Sequence, residues 1–465
     1  MYRFGVSRRN QDLLDDLSSA LALRQRDRRF MVPVLFAVIT ELYFFWAITL
    51  HTERPPMTSD AAIFEHIGWY ITHGGRLYVD AWEPKLPLSY ETTGVLAVLS
   101  GGDMHRFHLL SVLLMIVAVC AIVGLVAIHV HDLTGNDVAA AIAGLSLFLL
   151  PGFAVRPAYG YKAKYMVVLC GLLAVYLYTR EYPALGGAAA AASVGYWQAG
   201  AVFPLILLGL AVQQRNRRAL VRVVVGGLAF TVAMVLPVFV LWGSASQMVV
   251  QAVLVPLATG EHTPFLARLV AGVVHFKWAS PFVLVGGYGL ARLTWKQVTG
   301  GDAVGRSTWW VPVGAAWFAF LIFFVDFETG GYTDLIPGLA FVAIGVGIVA
   351  ARLRERRFQW SLGGALAAVL VVNVALLGSV GLVFSPVETP GPAPMSDLET
   401  DDYTQEHAAL ETRPDVRYVY WNKVRPSTCH YRLSLMELRW LDRIGSTPGD
   451  RCVDLATARS TLARG

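Results

Sequence analysis

Between Pro55 and Glu91 the chain interleaves groups that could move protons and hold anions. Asp60, Glu65, Asp80, Glu83 and Lys85 alternate with His66, Trp69, His73, Tyr78 and Trp82. A carboxylate at such a place can take a proton from an attacking hydroxyl, and a lysine can stabilise an anionic leaving group. RPAYGYKAK (156–164) adds Arg156, Lys162 and Lys164, and DFETGGYTD (326–334) adds Asp326, Glu328, Tyr332 and Asp334. A further segment, 243–268, holds Glu261, His262 and Arg268.

These islands stand out because the rest of the chain is apolar. Of 465 residues 55% are hydrophobic and 15% charged, with mean hydropathy +0.52; a soluble domain carries about 25% charged residues. Apolar runs near the length of a membrane helix recur throughout, which predicts an all-α polytopic membrane protein. The net charge of +5 is spread over short loops between apolar runs, a topology signal rather than a nucleic-acid face.

Residues 1–30 form a charged N-terminal segment, and MVPVLFAVITELYFFWAITL (31–50) is the first apolar run. It is longer and later than the apolar region of a secretory signal, so it predicts a retained span, with Arg24, Arg26, Arg28 and Arg29 holding the N-terminus in the cytoplasm. Further spans are expected near 107–130, 138–152, 165–180, 184–196, 199–213, 219–242, 278–293, 308–325, 334–351 and 361–385, about eleven in all. This threading puts the basic loops 213–222, 292–297 and 352–357 inside, as the positive-inside rule requires. It puts the first loop (51–106) and everything after residue 385 outside. Lys85, Arg156, Lys162, Lys164, Arg268 and Lys277 then fall on the outer side. Each alone reads equally well as a side chain snorkelling to the interface; as a set they suggest an anionic ligand.

Within the first outer loop, Thr58-Ser59-Asp60 is a helix start, and Ile63, Phe64, Ile67, Tyr70 and Ile71 recur at helical spacing. The pattern predicts an amphipathic helix in the membrane interface, with Asp60, Glu65, His66 and His73 on its other faces, stopped at Gly74-Gly75. Pro84 and Pro87 predict extended chain around Lys85. Asp60 reads as either a helix cap or a general base, and Glu83 with Lys85 as either an intraloop ion pair or a phosphate site. GGAAAAAS (186–193) suits close helix packing. Inside the spans, charge is nearly absent, with Glu41 the main exception.

The region 386–402 reads as a linker, followed by a small extracytoplasmic C-terminal α/β domain over 403–465, with a strand at 418–424 and a helix at 433–445. An oxidising compartment there implies a Cys429–Cys452 disulfide, whose loop closure is worth about 3 kcal/mol. Cys429-His430 lacks the spacing of a zinc site. Cys120 and Cys170 are expected as buried thiols.

Walker, nucleophile-elbow and zincin motifs and a suitably placed dinucleotide fingerprint are missing from the sequence. What remains is carboxylate and cation on the outer surface of a membrane protein. That set could transfer a sugar from a lipid-linked phosphosugar, or could serve a carrier or flippase for the same lipid. A carrier would place ionisable groups within its spans.

The run Leu77-Tyr78-Val79-Asp80-Ala81-Trp82-Glu83-Pro84-Lys85-Leu86-Pro87-Leu88, following Ser59-Asp60 and a helix ending in Gly-Gly, resembles the GT-C class glycosyltransferases. Within that class it is similar to archaeal dolichyl-phosphate-mannose mannosyltransferases, protein O-mannosyltransferases and the aminoarabinose lipid A transferase. Relatives show a Y-x-D-x-W-E-x-K-P-P-L run; here Leu86 stands in place of the first proline, and Ala61 follows Asp60 where many relatives have Glu. The resemblance implies a GT-C-like fold, a polyprenyl-phosphate sugar donor at the outer face, mannose as the sugar, and inversion at its anomeric carbon. It implies Asp60 as the catalytic base, with Glu65, Asp80 or Glu83 as a second carboxylate. Glu83, Lys85 and Asp80 would bind the donor, Arg156, Lys162 and Lys164 its phosphate, and Tyr332 and Asp334 would touch donor or acceptor. The acceptor would be a glycan, glycoprotein or lipid. No cofactor is expected, and metal dependence stays open.

Overall fold

The computed structural model describes residues 31–51, 58–72, 74–78, 83–101, 104–254, 264–276, 279–299, 308–325, 333–353, 355–378, 431–432 and 452–453. Its helices of ten residues or more are α1 Val32–Phe44, α2 Ser59–Thr72, α3 Leu88–Leu99, α4 Met104–Thr134, α5 Asp137–Ser146, α6 Ala163–Thr179 and α7 Pro183–Tyr196. They continue with α8 Val202–Gln213, α9 Arg217–Val240, α10 Phe265–Phe276, α11 Ser280–Val298, α12 Trp310–Phe320, α13 Ile336–Arg352 and α14 Arg356–Gly378.

Among the described residues Val32–Leu50, His105–Thr134 and Arg217–Val240 are each long and apolar enough to cross a membrane. Two bent pairs raise that number to five: Asp137–Leu149 with Gly152–Tyr159 turns by 84°, and Phe265–Phe276 with Ser280–Val298 turns by 113°. Shorter apolar helices, α6 and α13 among them, pack around these. This is a multi-pass membrane protein, with apolar side chains such as Val225, Leu228 and Val232 of α9 exposed on its flanks.

Small residues set the closest crossings. α7 lies against α6 and α9, and there is no room for a Cβ on Gly187, which faces the Val223 carbonyl, or on Gly226, which faces the Ala184 carbonyl. The glycine- and alanine-rich run 186–193 therefore does what small residues do in membranes, letting backbones touch where hydrophobic burial supplies little drive.

Two helices differ from the sequence reading. α3 occupies a stretch expected as loop, because Pro87 sits at its N-cap and so precedes the helix rather than breaking it. α10 occupies part of the expected outer loop 243–268. α2 packs mainly against α3, with Ala61, Phe64, Ile67 and Trp69 of its apolar face buried together with Glu65. At the C-terminal end Tyr431–Arg432 pairs antiparallel with Cys452–Val453. The expected strand at 418–424, helix at 433–445 and Cys429, with its disulfide, lie outside the described residues, as does the 386–402 linker.

Candidate active site

The start of α2 and the strap before α6 are built against each other. Thr58 Oγ1 caps α2 by accepting the Ala61 N–H at 3.3 Å. The same oxygen accepts a hydrogen bond from the Arg156 guanidinium, which also donates to the carbonyls of Gly160 at 3.1 Å and Tyr161 at 3.5 Å. Arg156 is fully buried, so it holds the strap in place. The strap then runs extended through Lys162, φ −147° and ψ 115°, and delivers its ammonium onto Asp60 in the first turn of α2.

Glu65, one turn along α2, faces inward rather than toward solvent. It pairs with His108 of α4 at 3.0 Å, both side chains fully buried, and accepts the Tyr161 N–H at 3.3 Å. Glu65 therefore fastens three segments together. Helical spacing placed it on the polar face because its partner lies 43 residues away.

The stretch around Lys85 is held from outside. Tyr78 takes a left-handed conformation, φ 65°, and its hydroxyl donates to the Lys85 carbonyl at 2.7 Å. Gln251 donates to the Tyr78 carbonyl at 2.8 Å and accepts the Glu83 N–H at 3.1 Å. Gln198 donates to the Pro84 and Ala252 carbonyls, both at 2.8 Å. Neither glutamine stood out in the sequence; each is a lone neutral polar residue, and only the unsatisfied carbonyls of an irregular loop give it a task. The clamp sets Lys85 Nζ 3.3 Å from Glu83 Oε1 and 5.4 Å from the Phe64 ring.

Lys164, in the first turn of α6, pairs with Asp334, which lies in the turn before α13, and both are buried. Its ammonium also lies 5.0 Å from the Trp197 ring, a cation–π contact. Burial and pairing rule out snorkelling for Lys162 and Lys164. Arg268 of α10 is buried as well and donates to the Ile322 carbonyl. Asp80, His66 (its side chain), His73, Glu261, His262, Lys277, Asp326, Glu328 and Tyr332 lie outside the described residues.

Phe64 joins the two halves of this cluster. Its ring centroid is 5.1 Å from Tyr161, beside Lys162, and 5.5 Å from Tyr90. Burial, then the nearby Glu83 charge, pushes the Tyr90 phenol well above its ordinary range, so that ring stays neutral. Burial also pushes the Glu91 carboxyl of α3 up to about 8.

Accessibility separates the charged groups. The Asp60 side chain is 33% exposed and Lys85 25%, whereas Glu83, Lys162, Lys164, Asp334, Glu65 and His108 are all at 6% or less. A reactant can thus reach a carboxylate and a lysine, each paired with a buried partner of opposite charge. Chemically, that arrangement can accept a proton at one point and hold an anion at another. Among the described residues no group of three or more His, Cys, Asp or Glu side chains is placed to hold a metal ion.

The profile of the DolP-mannose mannosyltransferase family matches residues 74–236. The dolichol phosphate-mannose mannosyltransferase of Haloferax volcanii is 33% identical over 420 residues, which cover 85% of this chain and 90% of that protein. Two crystal structures of ArnT from Cupriavidus metallidurans, bound to undecaprenyl phosphate and in the apo state, each superpose with a TM-score of 0.48. Their identities are 15% and 16%, over 93% of this chain and 72% of that one.

Proposed function

The chain belongs to the DolP-mannose mannosyltransferase family, and from that membership we propose that it transfers one mannose from dolichyl phosphate mannose to a hydroxyl of a glycan, glycoprotein or lipid. Membership of an enzyme family sets aside the carrier or flippase reading. The observation that carries the residue assignment is that Asp60 and Lys85 are each partly exposed beside a buried partner of opposite charge, with Phe64, one turn along α2 from Asp60, lying 5.4 Å from the Lys85 ammonium.

In the proposed reaction Asp60 takes the proton of the acceptor hydroxyl as its oxygen bonds to the anomeric carbon. The bond from that carbon to the phosphate oxygen breaks with inversion, and the electron pair leaves with dolichyl phosphate. Lys85 meets the phosphate, where growing negative charge strengthens the contact in the transition state. Glu83 orients Lys85 through its 3.3 Å ion pair. Lys162 orients Asp60 and adds positive charge beside it, while Arg156 holds the strap that carries Lys162. Lys164 with Asp334 fixes the next turn of the site, and Asp80 and Tyr332 complete it toward donor and acceptor. We place this site at the outer membrane face in a GT-C-like bundle of about eleven spans. The N-terminus is inside, and the C-terminal domain, closed by Cys429–Cys452, is outside.

The test is to incubate purified protein in lipid with radiolabelled dolichyl phosphate mannose and a membrane extract, wild type beside Asp60→Asn. Label should pass to a new product with wild type only. Equal transfer by both proteins would remove Asp60 as base, and no transfer by wild type with donors of any sugar would remove the reaction.

A further inference from the structure

A cavity of about 710 Å³ opens at the far end of the helix bundle, between the C-terminal ends of α4 and α6 and the start of α9. It is not part of the candidate active site. From His108 to Asp132 along α4 is 24 residues, about 36 Å at 1.5 Å per residue, and from Lys164 to Tyr178 along α6 is about 21 Å. These two separations bracket the hydrocarbon thickness of a bilayer, about 30 Å.

The lining is polar and carries three arginines. Arg180 is engaged with both oxygens of Asp132, at 2.9 and 3.2 Å. Arg218 and Arg222 stand one turn apart on α9, and among the described residues neither has an ion-pair partner. The lining holds two carboxylates, Asp132, which Arg180 engages, and Glu181. Asn216 caps α9 by accepting the Ala219 N–H at 3.0 Å, and Tyr178 holds Gln214 at 2.9 Å, so the rim is ordered. Next to the two arginines, three residues along α9, Val221 and Val225 are exposed, followed by Leu228. An anionic headgroup in the cavity could therefore continue directly into a hydrocarbon chain lying on α9.

We infer that this cavity binds the phosphate of an anionic membrane lipid, held by Arg218 and Arg222 with its chain along Val221, Val225 and Leu228. Basic pockets between helices at the membrane surface recognise such headgroups, and each arginine near the surface strengthens the attraction. A water-soluble phosphate shares the headgroup chemistry but gains nothing from the apolar stripe. The inference is independent of the sugar-transfer reading.

The experiment is native mass spectrometry of the detergent-purified full chain with dioleoylphosphatidylglycerol, dioleoylphosphatidylcholine or glycerol 1-phosphate. Wild type should retain the glycerol lipid in preference to the choline lipid. Arg218→Gln/Arg222→Gln should weaken that retention about thirtyfold, and Arg218→Lys/Arg222→Lys should keep most of it. Glu181→Gln should move the other way and raise retention, a readout that misfolding would not produce. Equal retention by the Gln/Gln variant, or of both lipids by wild type, would overturn the site. Displacement of the lipid by millimolar glycerol 1-phosphate would overturn its assignment to a lipid.

Discussion

Asp60 and Lys162, 102 residues apart, form an ion pair whose halves are unequally buried, the lysine side chain 5% exposed and the carboxylate 33%. Loss of the partner should therefore cost more when the buried half is left behind. Asp60→Ala leaves an ammonium out of water, a situation that costs about 3–5 kcal/mol. Lys162→Met leaves a carboxylate that water can reach, and should cost about 1 kcal/mol. Both should lose mannosyl transfer by a hundredfold or more. Thermal melting in detergent beside the transfer assay checks the asymmetry; equal melting losses would mean that the exposure difference does not govern the pair.

Lys164 and Asp334 form a second pair, buried on both sides. Asp334→Leu alone should destabilise the protein by about 3–5 kcal/mol, whereas Lys164→Met/Asp334→Leu should recover most of that, since apolar side chains of similar volume replace a buried ion pair at little cost. Activity decides whether the pair also serves the donor. A double variant with restored melting and lost transfer supports a donor role for Lys164; restored transfer assigns the pair to the fold alone.

The Glu91 carboxyl, pushed by burial up to about 8, gives a pH dependence with a definite sign. Its unfolded value is near the ordinary 4.5. Between these two values the folded protein holds a proton that the unfolded chain releases, so this group's contribution to stability falls as pH rises from about 4.5 to about 8 and then levels off. Glu91→Gln, which is neutral throughout, should melt higher than wild type at pH 8 and show a flatter profile from pH 5 to 8. Parallel profiles would show that Glu91 does not titrate in this window.

Much of this site was legible as residue types but not as partnerships. The Thr58–Asp60 helix start and the lysines of 156–164 were visible because capping and charge in an apolar chain are local signals. Helical periodicity puts Glu65 off the apolar face of α2 because it reads only neighbours three and four apart, and the His108 that pairs with it in the interior is on another helix. Prolines at 84 and 87 masked α3, since a breaker and an N-terminal starter are the same residue. Gln198 and Gln251 carried no signal at all: their importance comes from carbonyls in a distant loop.

Gly160 separates two kinds of cost. It has φ +97°, and a Cβ there would stand 2.5 Å from Glu65 Oε1 and 3.0 Å from His108 Cε1. Gly101 has φ +68° with nothing within 4 Å of a Cβ. Gly101→Ala should therefore pay only backbone strain, about 1–2 kcal/mol. Gly160→Ala should pay that and also push Glu65 off the Tyr161 amide, shifting the strap that carries Lys162 and lowering transfer more than tenfold. If the two variants lose equal stability and both keep full transfer, the Glu65–Tyr161 contact does not position the site. If Gly160→Ala alone loses transfer while dolichyl phosphate mannose still binds, the strap orients the reacting groups rather than holding the donor.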